Sequence, residues 1–120
     1  MPVEPTGTQI ASLMTNELSG PIVMVNLLRF KPEGGRESYA RYADGVGPIL
    51  NDIGAEVVFY GSAHTVVIGD EGEWDLVVLV RYPSKEAFLE MVRLPEYQAI
   101  SGLRTEALLD SRLIACLPDR

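Results

Sequence analysis

An almost unbroken apolar run from Ile22 to Phe30 opens on β-branched residues and admits polar side chains only at Asn26 and Arg29. Between Ser19-Gly20-Pro21 and the turn residues Pro32 to Gly35, it predicts a strand with large side chains on both faces, at the centre of a sheet. The period then changes. Tyr39, Tyr42, Ala43, Val46, Ile49, Leu50 and Ile53 fall on one helical stripe, and Gly54 stands where a left-handed C-cap is wanted. Glu56 to Ile68, rich in Val, Phe, Tyr and Thr, predicts a second strand with Gly61 as a bulge or bend, and Gly69 to Gly72 a hairpin connection. Trp74 to Tyr82 reads as a third strand stopped by Pro83, after which Ser84 caps a helix with Phe88, Leu89, Met91 and Val92 turned inward. Pro95 suits the first turn of a further helix carrying Tyr97, Ile100, Leu103, Ala107 and Leu108, and Asp110 to Leu117 closes the chain as a fourth strand.

Ahead of this core, Met1 to Gly7 reads as a lead-in to a short helix over Thr8 to Glu17, with Thr6 and Gln9 placed for a capping box. Without that helix the order is β-α-β-β-α-β, the α+β ferredoxin-like split unit, with a four-stranded antiparallel sheet in the order 4-1-3-2. The expected division is an N-terminal extension over residues 1–20 and a ferredoxin-like domain over residues 21–118.

In this topology the helices cover one face of the sheet and leave the other open. A wet face calls for alternating apolar and polar residues, yet Ile22 to Leu28 and Leu76 to Val80 are apolar at nearly every position. Exposed area of that kind costs about 25 cal/mol per Å², and a contiguous patch of it marks an interface. The expected partner is a second copy packed sheet to sheet with twofold symmetry. The alternative is that the N-terminal helix folds across its own sheet, although its apolar stripe is only Ile10, Leu13 and Met14.

Composition narrows the partners further. At 120 residues, 47% hydrophobic and a net charge of -7, the chain is one ordinary globular domain that repels a phosphate backbone, so nucleic acid is not expected. The start shows no basic and apolar leader, and the apolar runs are far short of the about 20 residues that span a bilayer, so no membrane partner is expected. Cys116 is the only cysteine, which excludes an internal disulfide and fits a cytoplasmic location.

Chemistry-bearing residues are few. The expected strand order gathers Asn26, Arg29, Trp74, Asp75, Ser111 and Arg112 toward one end of the sheet, with Tyr60 and His64 on the second strand either approaching the same end or lining the neighbouring pocket. Arg29 and Arg112 could hold a carboxylate or enolate between two guanidinium forks, or be tied up in ion pairs with Asp75 or Asp110. His64, the only histidine, is the candidate general base, or else a hydrogen-bonded structural residue. Asn26 either orients a ligand or bridges to a neighbouring backbone group. Tyr39, Tyr42 and Tyr60 could present hydroxyls to a cavity between helix and sheet, the first two also fitting the helical core. Trp74 reads as an anchor, and Cys116 as a buried, inert thiol. One histidine and one cysteine fall short of a zinc set, haem ligation by His64 has no second feature behind it, and no cofactor is expected.

The string Trp74 to Ser84, followed by Ala87, Pro95-Glu96-Tyr97-Gln98, Leu103-Arg104, Ala107 and Asp110-Ser111-Arg112, resembles domain-of-unknown-function family 1330. The resemblance implies a branch of the dimeric α+β barrels, whose members include cofactor-free monooxygenases, lactone isomerases and haem-binding enzymes. Arg81 and the extra N-terminal helix depart from the usual pattern of the family. Two functions are therefore expected as alternatives. One is a barrel that binds or transforms a small apolar or anionic metabolite by proton transfer or cofactor-free oxygenation, with Asn26, Arg29, Tyr60, His64, Trp74 and Arg112 as candidates. The other is a non-catalytic dimeric binding or regulatory module.

Overall fold

The run from Ile22 to Phe30 forms strand β1 of a computed structural model that describes residues 1–118. Its even-numbered residues are buried against helices, whereas Val23, Val25, Leu27 and Arg29 are half-buried on the opposite face. β1 lies between β3 (Leu76–Tyr82) and β4 (Leu108–Cys116), and β2 (Glu56–Ser62) pairs with the outer side of β3. The order β2-β3-β1-β4 and the antiparallel pairing are those the sequence predicts.

Helices α2 (Gly35–Asp52), α3 (Lys85–Arg93) and α4 (Pro95–Ala107) make up the other layer. Ser84 caps α3 through Ala87, Pro95 opens α4, and Gly54 takes the left-handed conformation after α2 at φ +78°. Tyr39, Tyr42, Val46 and Leu50 of α2 meet Ile22, Leu28, Val78 and Val80 of the sheet in one core with Phe88 and Met91 of α3. α4 packs along α2, and the two approach closely because Gly45 faces Ile100 without a side chain. At Gly35 the approach is tighter still, since a Cβ there would lie 2.7 Å from the Ala107 carbonyl oxygen.

The N-terminal helix α1 (Gly7–Thr15) carries the expected Thr6–Gln9 capping box. It settles the question of the open face by lying against α3 on the helical side. Lys85 Nζ fixes it there, donating to the carbonyl oxygens of Asn16 at 2.6 Å and Met14 at 3.3 Å. The opposite face of the sheet keeps its apolar centre, in which Val25 pairs with Leu79 and Ile114, and Leu27 with Val77.

Several boundaries differ from expectation. β2 ends at Ser62, and residues 63–75 form a long connection in place of a tight hairpin, so His64 lies beyond the strand. The ladder closes where Ala63 N–H donates to the Asp75 carbonyl, and Gly69 and Gly72 turn the chain at φ +117° and +73°. Trp74 and Asp75 precede β3, because Asp75 is drawn to β1 instead: its N–H donates to Leu28 O, and its carboxylate accepts from Phe30 N–H. The irregularity of β2 falls between Val57 and Phe59, while Gly61 leaves room for the Phe59 ring. β4 starts at Leu108 and ends at Cys116, which faces the open side opposite Val23 and is exposed, not buried. Along the outer edge of β4, the Pro2 carbonyl accepts from Ser111 N–H at 2.8 Å and from Ser111 Oγ at 3.0 Å.

Candidate functional site

Between the sheet and the helices the side chains line an open cavity of about 370 Å³, within the usual range for small-molecule sites. Its sheet wall is Asn26, Val78, Val80, Tyr82 and Tyr60, and α2 contributes Tyr39, Tyr42, Val46 and Leu50. Its polar wall comes from α4, where Tyr97, Ser101, Arg104 and Thr105 recur at helical spacing on one face. The N-terminal residues Val3, Glu4 and Pro5 complete the lining. These three also line a second cavity of about 450 Å³ between α1 and the outer edge of β4.

Arg104 is the cation shared by the two cavities. It donates to the Val3 carbonyl at 3.2 Å and, over a long 3.5 Å, to Asn26 Oδ1. A guanidinium has five N–H donors, so these bonds leave others for a ligand. Asn26 is held in turn by donating its amide to the Val78 carbonyl at 3.2 Å. The Tyr42 and Tyr97 hydroxyls share one hydrogen bond of 2.9 Å, which uses one of their two protons and leaves the other to donate. Glu4 is the carboxylate on the lining, where it accepts from Thr105 Oγ1 at 3.1 Å.

Burial sets the protonation of the wall. Desolvation pushes the Tyr39 hydroxyl up to about 12 against the opposing pull of Arg104, and it raises Tyr42 further, reinforced by Tyr97. Tyr82 is raised as well, again by burial first. At neutral pH these groups are donors, not bases. A folded-state value above the unfolded value near 10 adds stability that is complete below that value and lost as pH rises through the folded one. Accordingly, Tyr39, Tyr42 and Tyr82 are expected to stay protonated in the folded protein where an exposed tyrosine ionises, and to titrate with unfolding. Tyrosinate absorbance followed with circular dichroism over an alkaline titration would show this, and full ionisation at pH 10 without unfolding would contradict it.

The sequence-predicted candidates do not converge. Asn26 and Tyr60 belong to the interlayer cavity, although Asn26 sits in mid-strand and not at the end of the sheet. Arg29, Trp74 and Arg112 gather on the open side. There Arg112 makes the structural ion pair, 2.8 Å from Asp110, while its Cζ lies 5.3 Å from the Trp74 ring centre. Burial alone would raise Asp110, but the hydrogen bonds from Arg112 and Ser111 N–H outweigh it and hold the carboxyl below its ordinary range. His64 lines neither cavity and is exposed, its Nδ1 bonded to Thr65 Oγ1 at 2.6 Å. Sequence reasoning passed over Arg104 as a site residue. The available signal was its spacing from Tyr97 and Ser101, which places three polar side chains on one stripe of α4.

Among the described residues no cluster of three His, Cys, Asp or Glu side chains is arranged to hold a metal, and no helix is long and apolar enough to cross a membrane. The family model of a domain of unknown function (DUF1330) matches residues 34–115. A structure of a protein of unknown function from Rhodopseudomonas palustris is 37% identical over 98% of this chain and 97% of that one, with a TM-score of 0.92. Hydroxynitrile lyase from Passiflora edulis is 11% identical over 84% and 96%, with a TM-score of 0.66. A dimeric ferredoxin-like protein of unknown function from Thermobifida fusca is 14% identical over 86% and 96%, with a TM-score of 0.57. At those identities the last two are alike in fold alone. No curated protein matches the chain.

Proposed function

The chain belongs to the DUF1330 family, and on that premise we propose that it binds a small, largely apolar metabolite with an anionic head in the cavity between sheet and helices. The observation that carries this reading is the placement of Arg104, with unused donors, on a cavity wall where Tyr42 and Tyr97 keep a further hydroxyl proton to donate and the one carboxylate, Glu4, is engaged by Thr105. A carboxylate or enolate is the complement of such a wall, and the aliphatic side chains of α2, α3 and the sheet suit an apolar tail.

Chain pairing through the open sheet face belongs to the same proposal. Its support is the apolar centre of that face, together with a fold shared with a protein described as dimeric. In this reading residues 21–118 are the pairing unit, residues 1–20 its extension, and the setting is the cytoplasm. Binding without turnover is the form the observations favour, since among the described residues every buried side-chain polar atom has a partner and His64 stands outside the lining. Proton transfer or cofactor-free oxygenation is the second form, and Glu4 on the lining is the observation in its favour.

A thermal-shift screen of aromatic and keto acids tests the proposal. A ligand present at a hundredfold excess over its Kd stabilises by about 2.7 kcal/mol, a readily measured shift. Arg104→Ala is expected to weaken the binding of any such acid by at least about tenfold, the loss of one charge-assisted bond, whereas Arg29→Ala leaves it unchanged. Failure of every acid to stabilise the wild type, or equal binding by the Arg104 variant, would rule the cavity out.

A further inference from the structure

Tyr39 and Tyr82 are only 4% and 5% exposed, and both line the cavity between sheet and helices. Their rings have packing partners. Tyr39 lies 5.6 Å from the Phe30 ring and 5.4 Å from that of Tyr42, centre to centre, and Tyr82 meets Phe88 edge-on at 5.3 Å. Their hydroxyls have none. Among the described residues neither makes a hydrogen bond, whereas on the same wall Tyr42 and Tyr97 bond each other and Asn26 bonds Val78. Every side-chain polar atom that is wholly sealed from solvent does have a partner, so these two hydroxyls are not sealed and open onto the space that their residues line.

A hydroxyl taken from water into an apolar interior costs stability unless it finds a partner there. Phenylalanine would give the same ring packing at both positions without that cost, so packing accounts for the rings and not for the oxygens. The surroundings say which partner is missing. Burial is the main influence on the ionisation of both hydroxyls, and after it Arg104 and Tyr97 act on each, so the two phenols stand around the same space as the guanidinium. At neutral pH both are protonated donors. Near a fixed positive charge their complement is an electron-rich oxygen, not an ammonium group. Arg104 accounts for one anionic head, and the two phenols call for a second acceptor on the same molecule.

We propose that the ligand is an oxo acid, whose carboxylate meets Arg104, whose carbonyl oxygen accepts from the Tyr39 and Tyr82 hydroxyls, and whose tail lies along Val46, Leu50 and Met91. The inference rests on the anion-binding reading proposed above and adds the second oxygen to it. Packed rings hold the donors in place before the ligand arrives, so the carbonyl gains its bonds with little loss of freedom. An acid of the same skeleton without the oxo group leaves both hydroxyls unpartnered and is the weaker ligand.

Isothermal titration calorimetry of the full chain compares phenylpyruvate and benzoylacetate, whose oxo groups sit on the first and second carbon from the carboxylate, with hydrocinnamate, which has the same skeleton and no oxo group. An aliphatic pair, α-ketoisocaproate and isocaproate, extends the comparison to a smaller tail. At least one oxo acid is expected to bind at least about tenfold more tightly than its parent acid, the effect of one or two added hydrogen bonds. Tyr39→Phe/Tyr82→Phe is expected to remove that preference while leaving the affinity for the parent acid unchanged and the thermal stability without ligand undiminished. Arg104→Ala should weaken both members of a pair alike. Equal binding of oxo and parent acids by the wild type, or a preference that survives in the double tyrosine variant, would overturn the oxo-acid inference and leave the anion site standing. No binding by any of these acids would overturn the anion site and the inference together.

Discussion

Leu79→Arg is expected to leave the protomer folded and to abolish its pairing at micromolar concentration. Leu79 sits in the middle of the open face, opposite Val25 on one side and Phe59 on the other. It is only half-buried in the single chain, so an arginine there keeps its charge in water as long as the chain is alone. A stable interface buries about 800 Å² on each partner, and its centre is dry. Two uncompensated guanidinium groups, one from each copy of a twofold pair, would be desolvated there at roughly 3–5 kcal/mol each. The pair dissociation constant should rise by at least about a thousandfold. Sedimentation velocity reads the outcome directly, and a variant that still sediments as a pair would mean that the interface lies elsewhere.

Leu27 and Leu28 are chain neighbours whose truncation is expected to have opposite consequences. Leu28 is fully buried in the protomer core, whereas Leu27 belongs to the open face beside Val77 and Arg112. Leu28→Ala removes side-chain volume from a packed interior and is expected to cost about 2–5 kcal/mol of protomer stability. Leu27→Ala should cost the protomer less than about 1 kcal/mol and weaken pairing instead. Urea unfolding on a Leu79→Arg background isolates the protomer term, and equal losses for the two alanines would show that the two faces are not distinct as described.

These neighbours also mark how far the sequence could be read. Element order, strand order and the α2 stripe follow from periodicity and from punctuation by Gly54, Pro83 and Pro95, because those signals are local. A strand apolar at every position gives no such guide to its faces, and a shift of one residue exchanges them. Sequence alone therefore groups Asn26 with Arg29 and Arg112, although the pleat sends it to the helical side. His64 falls outside its expected strand for a related reason. Val66, Val67 and Ile68 have strand propensity, but in the long connection they have no neighbouring strand to satisfy it. Arg104 became meaningful only when α4 packed along α2 and turned its polar stripe toward the cavity, a tertiary fact that helix propensity does not contain.

The bond from Ser111 to the Pro2 carbonyl has a consequence for the chain's behaviour in crowded solution. A terminal strand with bare amides is a template on which other molecules add, the first step toward fibrils. The leading residues occupy part of that template on one border of the sheet, and on the other border the irregular register between Val57 and Phe59 spoils the straight ladder that an incoming chain would need. Each border is thus guarded against uncontrolled growth by a different device.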